Sequence, residues 1–200
     1  MVKVFLIRHG QTNDNAQKKY SGFSDPPLNE QGIQQSQKLA VRLRGLEIDR
    51  VYSSDLKRAY QTARIIFGER PIQQLSGLRE MNFGLFEGLT HKEIMKCHPE
   101  LYRRWIANPQ KQSIPQGEPW QEFQRRVAQQ LSAIIDENPG KTLAVVTHSG
   151  PIRVLLCQAL QYDAAMFWQI EQNSAALNII DYSTGSAPLA VTINDTAHLS

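Results

Sequence analysis

The sequence predicts an α/β protein of three layers, in which helices cover both faces of a mostly parallel central sheet. Residues 2–7 and 142–147 are nearly continuous apolar runs, which is typical of strands buried on both faces of a parallel sheet. Residues 50–53 give a shorter strand pattern, and residues 175–180 and 189–193 predict a closing hairpin or edge pair. Helical patterns follow the first three strands, and such alternation predicts an open sheet with ligands beyond the carboxyl ends of its strands.

Helices are predicted from capping residues and from apolar side chains at helical spacing. In the first helix, Asn29 is the cap, and Ile33, Ala40 and Leu43 share one face. Pro151 suits the first position of the last helix, because that position needs no N–H donor. The predicted helical segments are residues 29–45, 56–68, 90–97, 100–105, 120–138 and 151–160.

The size and composition of the chain predict one domain, spanning residues 1–200. With 41% hydrophobic and 20% charged residues, the chain can bury one substantial core. Its net charge of +3 is small and its basic residues are dispersed, which argues against a nucleic-acid surface. No apolar run approaches the roughly 20 residues that a membrane span requires, and no signal peptide is apparent. Cys97 and Cys157 lie far apart, as in reduced proteins, so we expect a cytoplasmic location.

Reactive side chains follow two of the predicted strands. Arg8 and His9 come directly after the first strand, and His148 comes directly after residues 142–147. A neutral imidazole is a good nucleophile, so His9 can carry a phosphoryl group as a covalent intermediate. Arg8 and Arg58 offer planar guanidinium groups that suit bidentate contacts with phosphate oxygens. A protonated His148 would add a third cationic donor beside a helix N-terminus.

The motifs around these residues occur in an order that is specific to one superfamily. They occupy residues 6–12, 20–22, 27–32, 53–63, 78–88 and 146–150. Together they resemble the histidine phosphatase superfamily, also called the phosphoglycerate mutase-like family. The resemblance covers residues 4–150 and implies the three-layer α/β fold of that family.

The resemblance implies a metal-independent phosphomonoesterase that works through a phosphohistidine intermediate. In that chemistry His9 is the nucleophile, and Arg8, Arg58 and His148 bind the phosphoryl group. Glu80 is implied to protonate the leaving group and later to activate water, a role usually worth about 10² to 10⁴ in rate. The family positions that contact the phosphoryl group or shape its pocket correspond to Gln11, Asn15 and Gly22.

The resemblance also predicts which segments select the substrate. In this family an insertion, here at about residues 81–120, covers the active site, so Arg103 or Arg104 is expected to line the pocket. The C-terminal tail resembles that of metal-independent phosphoserine phosphatases, some of which place a C-terminal His on the substrate carboxylate. We therefore hypothesise that His198 folds back over the pocket. The remaining histidines show no metal-ligand spacing, and we expect neither a metal nor a cofactor.

Four functions remain open from the sequence. A phosphatase of α-ribazole 5′-phosphate, in cobalamin biosynthesis, ranks first, and a phosphoserine phosphatase ranks second. A cofactor-dependent phosphoglycerate mutase ranks lower, because the segment between Glu80 and Trp120 is too brief for the longer insertion of mutases. A phospho-ligand binding protein without turnover ranks last, because all five catalytic residues are present. The expected partner is a small phosphorylated metabolite, not nucleic acid or a membrane, and a homodimer is left open.

Overall fold

Six strands form one mixed sheet in the computed structural model, which describes residues 2–182 and 187–200. In chain order they are β1 Lys3–Arg8, β2 Arg50–Ser53, β3 Ile72–Gln74, β4 Thr142–Thr147, β5 Leu177–Asp181 and β6 Leu189–Asp195. Their order across the sheet is β3-β2-β4-β1-β5-β6. The pairs among β1 to β4 are parallel, whereas β5 and β6 pair antiparallel. The predicted mostly parallel α/β sheet is confirmed, and so is its closing antiparallel pair.

Helices connect the strands and cover the sheet. Within the described residues they are α1 Asn13–Ala16, α2 Glu30–Arg42, α3 Lys57–Phe67, α4 His91–Cys97, α5 Pro99–Ala107, α6 Trp120–Asp136 and α7 Ser149–Ala159. None of these helices is long and apolar enough to cross a membrane. The short elements α1 and β3 were not predicted, because four and three residues are too few to show a hydrophobic period.

Two details of the predicted helices are wrong. Helix α7 begins at Ser149, two residues before Pro151, with His148 as its N-cap. Proline is tolerated there because the N–H groups of the whole first turn lack partners within the helix. In α2, Leu39 is buried but Ile33 is 40% exposed, so the apolar face is narrower than its sequence suggested.

Alternate side chains of β1 enter two separate cores, as the period of a strand requires. Val4 and Leu6 pack with residues of α6 and α7 on one face of the sheet. Phe5 and Ile7 pack with residues of α2 and α3 on the other face. The predicted covering of both faces by helices is therefore confirmed.

A third, smaller core lies in the segment that connects β3 to α6. It contains the buried side chains Phe86, Ile94, Tyr102, Trp105 and Ile114. All five belong to residues 81–120, so this segment packs around its own aromatic centre. The partly buried side chains of Tyr20, from an earlier loop, and Phe83, from the segment itself, pack against that centre.

Candidate active site

The carboxyl ends of β1, β2 and β4 meet at one edge of the sheet. His9, directly after β1, donates its N–H to the Thr147 carbonyl at 2.9 Å, and His148 follows Thr147 in the chain. Ser54, directly after β2, donates its N–H to the Val146 carbonyl at 2.9 Å. The ring centroids of His9 and His148 are consequently only 5.0 Å apart.

His9 is buried, with 3% of its surface exposed, and its ring is held in one tautomer. Its Nδ1 lies 2.7 Å from the carbonyl oxygen of Gly10, which can only accept. Nδ1 therefore carries the proton, and Nε2 keeps a lone pair. Burial first, and then the charges of Arg58 and Arg8, hold the pKa of His9 well below its usual value. The ring is neutral at neutral pH, which leaves Nε2 as a nucleophile.

Arg58 is almost completely buried and contacts His148 from one side. Its Nε–H donates to His148 Nδ1 at 3.2 Å, while His148 Nε2 lies 2.9 Å from the hydroxyl of Ser54. Because Nδ1 accepts, the proton of His148 resides on Nε2. Burial, followed by the charges of Arg58, His9 and Arg8, holds the pKa of His148 well below its usual value. The free protein therefore favours the neutral form of His148, and its role as a third cationic donor to a bound phosphoryl group stays a prediction.

Arg8 donates a hydrogen bond to a main-chain carbonyl. The residue that carries this carbonyl is in turn fixed by hydrogen bonds between two side-chain amides. Arg8 Nη1 donates to the carbonyl of Gln172. The buried side-chain amides of Gln172 and Asn178 exchange two hydrogen bonds of 2.9 Å. Burial lowers the pKa of Arg8 to about 10, so the guanidinium stays charged at neutral pH. Its Nε has no hydrogen-bond partner among the described residues, which leaves a donor for a bound anion.

The carboxylate of Glu80 is buried at the N-terminus of α7. Its Oε2 accepts from the Gly150 N–H at 3.0 Å and lies 3.4 Å from the Ser149 hydroxyl. A Cβ atom on Gly150 would meet Glu80 Oε1 at 2.0 Å, so glycine is required for this close approach. The charge of Glu80 also counteracts the lowering of the pKa of Arg8 and of Arg58 by burial. Glu80 thus lies beside the side chains at this edge of the sheet, which together form the catalytic cluster: His9, His148, Arg8, Arg58 and Glu80 itself.

A second carboxylate, Glu87, holds the loop that contains Gly22. Its two oxygens accept main-chain N–H groups of Gly22, Phe23 and Ser24 at distances of 2.9 to 3.2 Å. The same carboxylate accepts the Phe83 N–H at 2.9 Å. A carboxylate with four main-chain donors fixes the loop firmly, because charge-assisted hydrogen bonds are stronger than those between neutral groups.

The loop that Glu87 fixes faces Arg58. Arg58 Nη1 donates to the Ser24 carbonyl at 2.7 Å, and Nη2 donates to the Ser21 and Gly22 carbonyls at 3.2 and 2.7 Å. Glu87 therefore determines the position of Arg58 indirectly. Sequence reasoning assigned Glu87 no role, although the Glu-Gly pair at this position is part of the family pattern.

Two predicted phosphoryl contacts have side chains engaged in helix capping. The Thr12 N–H donates to Asn15 Oδ1 at 3.0 Å in the capping box of α1. The side-chain amide of Asn29 donates to Gln11 Oε1 at 2.9 Å, which ties Gln11 to the start of α2. Asn15 also lines a cleft that contains Arg8, whereas Gln11 does not.

Three predicted substrate contacts lie outside the cluster. Arg103 and Arg104 are exposed on α5, and Arg103 forms an ion pair with Glu100. The other face of α5 carries the aromatic residues of the third core, so these two arginines point toward solvent. His198 Nδ1 lies 3.5 Å from Arg42 Nη1, beside α2 and not among the clustered side chains.

Sequence reasoning missed one cation, Arg153, which projects from α7 near Glu80. Its Nε donates to the carbonyl of Ile170 at 2.7 Å. Its guanidinium carbon lies 5.6 and 5.7 Å from the ring centroids of Phe167 and Trp168. Arg153 and Glu80 together line a small cavity of about 20 Å³. The sequence could have indicated Arg153, because it lies one helical turn after the motif His148-Ser149-Gly150.

A family model of the histidine phosphatase superfamily, branch 1, matches residues 4–196. The chain belongs to this superfamily. Phosphoserine phosphatase 1 of Hydrogenobacter thermophilus is 32% identical to this histidine phosphatase over 201 residues, covering 100% of this chain and 95% of that one. The adenosylcobalamin/alpha-ribazole phosphatase of Salmonella typhimurium is 34% identical over 192 residues, covering 95% of each chain.

A solved structure of the same superfamily shows the same fold. The structure of a mutant phosphoserine phosphatase from Entamoeba histolytica, in complex with phosphoserine, has a TM-score of 0.90 with 28% identity and covers 100% of both chains. The resemblance found in the sequence is thereby confirmed, and the protein is a small-molecule histidine phosphatase. In residues 2–182 and 187–200, no group of three or more His, Cys, Asp or Glu side chains is placed to hold a metal ion.

Proposed function

We propose that the protein hydrolyses the phosphate monoester of a small metabolite through a phosphohistidine intermediate on His9. The observation that carries this proposal is the hydrogen bond between His9 Nδ1 and the Gly10 carbonyl. It leaves the Nε2 lone pair free in a buried site that also contains two guanidinium groups. A nucleophile beside fixed positive charge is the arrangement that transfer of a phosphoryl dianion requires.

In the first step, His9 Nε2 attacks phosphorus, a P–N bond forms and the P–O bond to the leaving group breaks. Arg8 and Arg58 neutralise the phosphoryl oxygens, and the unpartnered Nε–H of Arg8 is one donor for them. Glu80 acts here in its protonated form and gives that proton to the leaving oxygen, which departs as an alcohol; the second step returns the proton to Glu80. The negative charge of the bound ester favours uptake of a proton from solvent at His148 Nδ1, and the Nε–H of Arg58 then leaves that atom and turns to a phosphoryl oxygen.

In the second step, water attacks the phosphohistidine. Glu80, now a carboxylate, accepts a proton from the water as the P–O bond forms and the P–N bond breaks. Inorganic phosphate leaves, and His9 returns to its neutral form. The hydrogen bonds from Gly150 and Ser149 keep the carboxyl group of Glu80 in place through both steps.

We also propose that the segment at about 81–120 covers the site within a single domain of residues 1–200. Support comes from aromatic contacts between this segment and its surroundings. The ring of Tyr20 lies 5.1 Å from that of Phe83 and 5.8 Å from that of Trp105. Trp105 lies 5.6 Å from Trp168, which borders the cavity beside Glu80.

Two substrates are candidates, and a different observation favours each. α-Ribazole 5′-phosphate, ranked first from the sequence, carries a flat aromatic base that could stack on the partly exposed Trp168 and on Phe83. Phosphoserine, ranked second, carries a carboxylate that the basic side chains near Arg8 could bind. The identities of 34% and 32% to relatives of the two kinds do not separate them.

The test compares wild type with His9→Gln, with EDTA present, on α-ribazole 5′-phosphate, phosphoserine, 3-phosphoglycerate with 2,3-bisphosphoglycerate, and an aryl phosphate. His98→Gln, a histidine outside the cluster, is the matched control. We expect phosphate release by wild type and the control, and loss of release in His9→Gln. Isomerisation of 3-phosphoglycerate without phosphate release would instead establish a mutase.

A further inference from the structure

A basic cleft adjoins the catalytic cluster on the side of Arg8. It has a volume of about 280 Å³. Its lining consists of Arg8, Asn15, Lys18, Lys19, Tyr20 and His91. No carboxylate occurs in this lining, although three of its six side chains carry a permanent positive charge.

The two walls of the cleft are joined by main-chain and side-chain contacts. Lys19 and Thr90 form an isolated antiparallel bridge, and the Tyr20 N–H donates to the Leu89 carbonyl at 2.9 Å. The hydroxyls of Tyr20 and Tyr102 lie 2.8 Å apart, within hydrogen-bond distance. These contacts connect the end of α1 to the segment that precedes α4, so the cleft has a defined shape.

Lys18 has an uncommon backbone conformation at the rim of this cleft. Its φ angle is +56°, in the left-handed region that residues other than glycine seldom adopt. The Lys18 N–H donates to the Asn15 carbonyl at 3.1 Å, and the Lys19 N–H donates to the Asp14 carbonyl at 2.9 Å. The turn therefore places two consecutive lysines beside Asn15 and Arg8, and such outliers often accompany a functional constraint.

From this arrangement we propose that Lys18 and Lys19 form a subsite for a second anionic group, carried by the leaving half of the substrate. Arg8 and Arg58 already offset the charge of the phosphoryl dianion, so the two lysines supply positive charge in excess of that need. The charge of Lys19 also interacts with Glu93, but Thr90 binds that carboxylate in the capping box of α4. Neither lysine forms an ion pair within the described part of the chain, so both remain available to a ligand.

This inference rests on the proposed function and specifies its substrate class. The leaving alcohol carries a carboxylate or a second phosphate within reach of the cleft. Phosphoserine, which has a carboxylate, then ranks above α-ribazole 5′-phosphate, whose leaving half has no anionic group. That ranking reverses the order that the sequence suggested. It also assigns to Lys18 and Lys19 the role of lining the substrate pocket, which the sequence had suggested for Arg103 or Arg104.

The test uses substrate pairs that differ in one anionic group. For a carboxylate the pair is 3-phosphoglycerate and glycerol 3-phosphate, and for a phosphate it is 1,3-propanediol bisphosphate and its monophosphate. The proteins are wild type, Lys18→Gln/Lys19→Gln, and the control Lys92→Gln/Lys96→Gln, which removes two exposed charges from neighbouring α4 outside the cleft. The ratio of kcat/KM within each pair is measured at constant ionic strength.

We expect the ratio for at least one pair to fall at least tenfold in Lys18→Gln/Lys19→Gln, mainly through KM, and to change less than twofold in the control. The pair that responds identifies the second group as carboxylate or phosphate. Equal ratios in all three proteins, or an equal fall in the control, would overturn the subsite. If wild type hydrolyses none of these esters, equilibrium binding of the same pairs to the same proteins tests the subsite by itself, while the panel with α-ribazole 5′-phosphate and phosphoserine decides the proposed function.

Discussion

Arg58 donates its Nε–H to His148 Nδ1 at 3.2 Å, so a permanent cation occupies the atom at which His148 would take up its second proton. The other ring nitrogen lies 2.9 Å from Ser54. Together with burial, this contact keeps His148 neutral in the free protein. His9 is neutral for a similar reason, although its Nδ1 donates to a carbonyl.

Two buried neutral histidines predict a loss of stability in mild acid. The pKa values of His9 and His148 are lowered in the folded protein, whereas unfolded histidine titrates near 6.5. Below about pH 6.5 the unfolded chain takes up two protons that the folded chain does not. The free energy of unfolding therefore decreases as the pH is lowered. The expected slope from these two groups approaches roughly 2.7 kcal/mol per pH unit.

Urea unfolding at several values between about pH 5 and 6.5 measures this slope. In His148→Gln the chain takes up one proton fewer on unfolding, so the slope should decrease by roughly 1.4 kcal/mol per pH unit. A slope that is identical in wild type and in His148→Gln would show that His148 takes up its proton in the folded state.

Glu87→Gln should weaken the binding of inorganic vanadate, a phosphate mimic, about tenfold, because one charge-assisted acceptor of the Gly22 loop is lost. The free energy of unfolding should fall by about 1 to 3 kcal/mol. If Glu87 acts through Arg58, the substitution should weaken binding no more than twofold in an Arg58→Lys background. Inhibition constants for the four proteins complete this double-mutant cycle.

Glu93→Gln is the control for that cycle, since Glu93 is a carboxylate that accepts main-chain and hydroxyl hydrogen bonds in an exposed capping box. It should leave vanadate binding unchanged. Additive effects of Glu87→Gln and Arg58→Lys would contradict the connection between the two residues.

Gly150→Ala should impair protonation of the leaving group selectively. The new Cβ would lie 2.0 Å from Glu80 Oε1 and would displace the carboxylate. The first chemical step on an alkyl phosphate should slow by about 10²-fold or more. With 4-nitrophenyl phosphate the same step should slow far less, because nitrophenolate leaves without a proton. Single-turnover kinetics on both esters measure the difference.

Gly77→Ala is a matched control for that substitution, because its new Cβ would also meet a side chain closely, that of Gln130, which lies outside the site. It should slow neither ester. An equal slowing of both esters in Gly150→Ala would mean that Glu80 does not act as the acid.

The sequence predicted the strands that carry the site because their apolar runs are long and end at polar motifs. It placed Arg8, His9 and His148 correctly at the carboxyl ends of β1 and β4. Their catalytic roles stay predictions. The position of Arg58 depends on carbonyls of residues 21–24 and on Glu87, which are remote in the chain. No local pattern contains such information.

The predicted substrate contacts stay untested, and the structure places their side chains away from His9 for reasons that differ between residues. On α5 the burial of Tyr102 and Trp105, three residues apart, directs Arg103 and Arg104 outward, and helical periodicity could have shown this. The position of His198 depends on contacts with α2 and could not be derived from the sequence.

Rapid-quench trapping of the phosphoenzyme during turnover of a ³²P-labelled substrate tests most directly whether His9 is the nucleophile. We predict a stoichiometric intermediate that is labile in acid and stable in alkali, is absent in His9→Gln, and maps to His9 by mass spectrometry of the peptide. Turnover without any phosphoenzyme, or a phosphoryl group on His148, would contradict the assignment of His9 as the nucleophile.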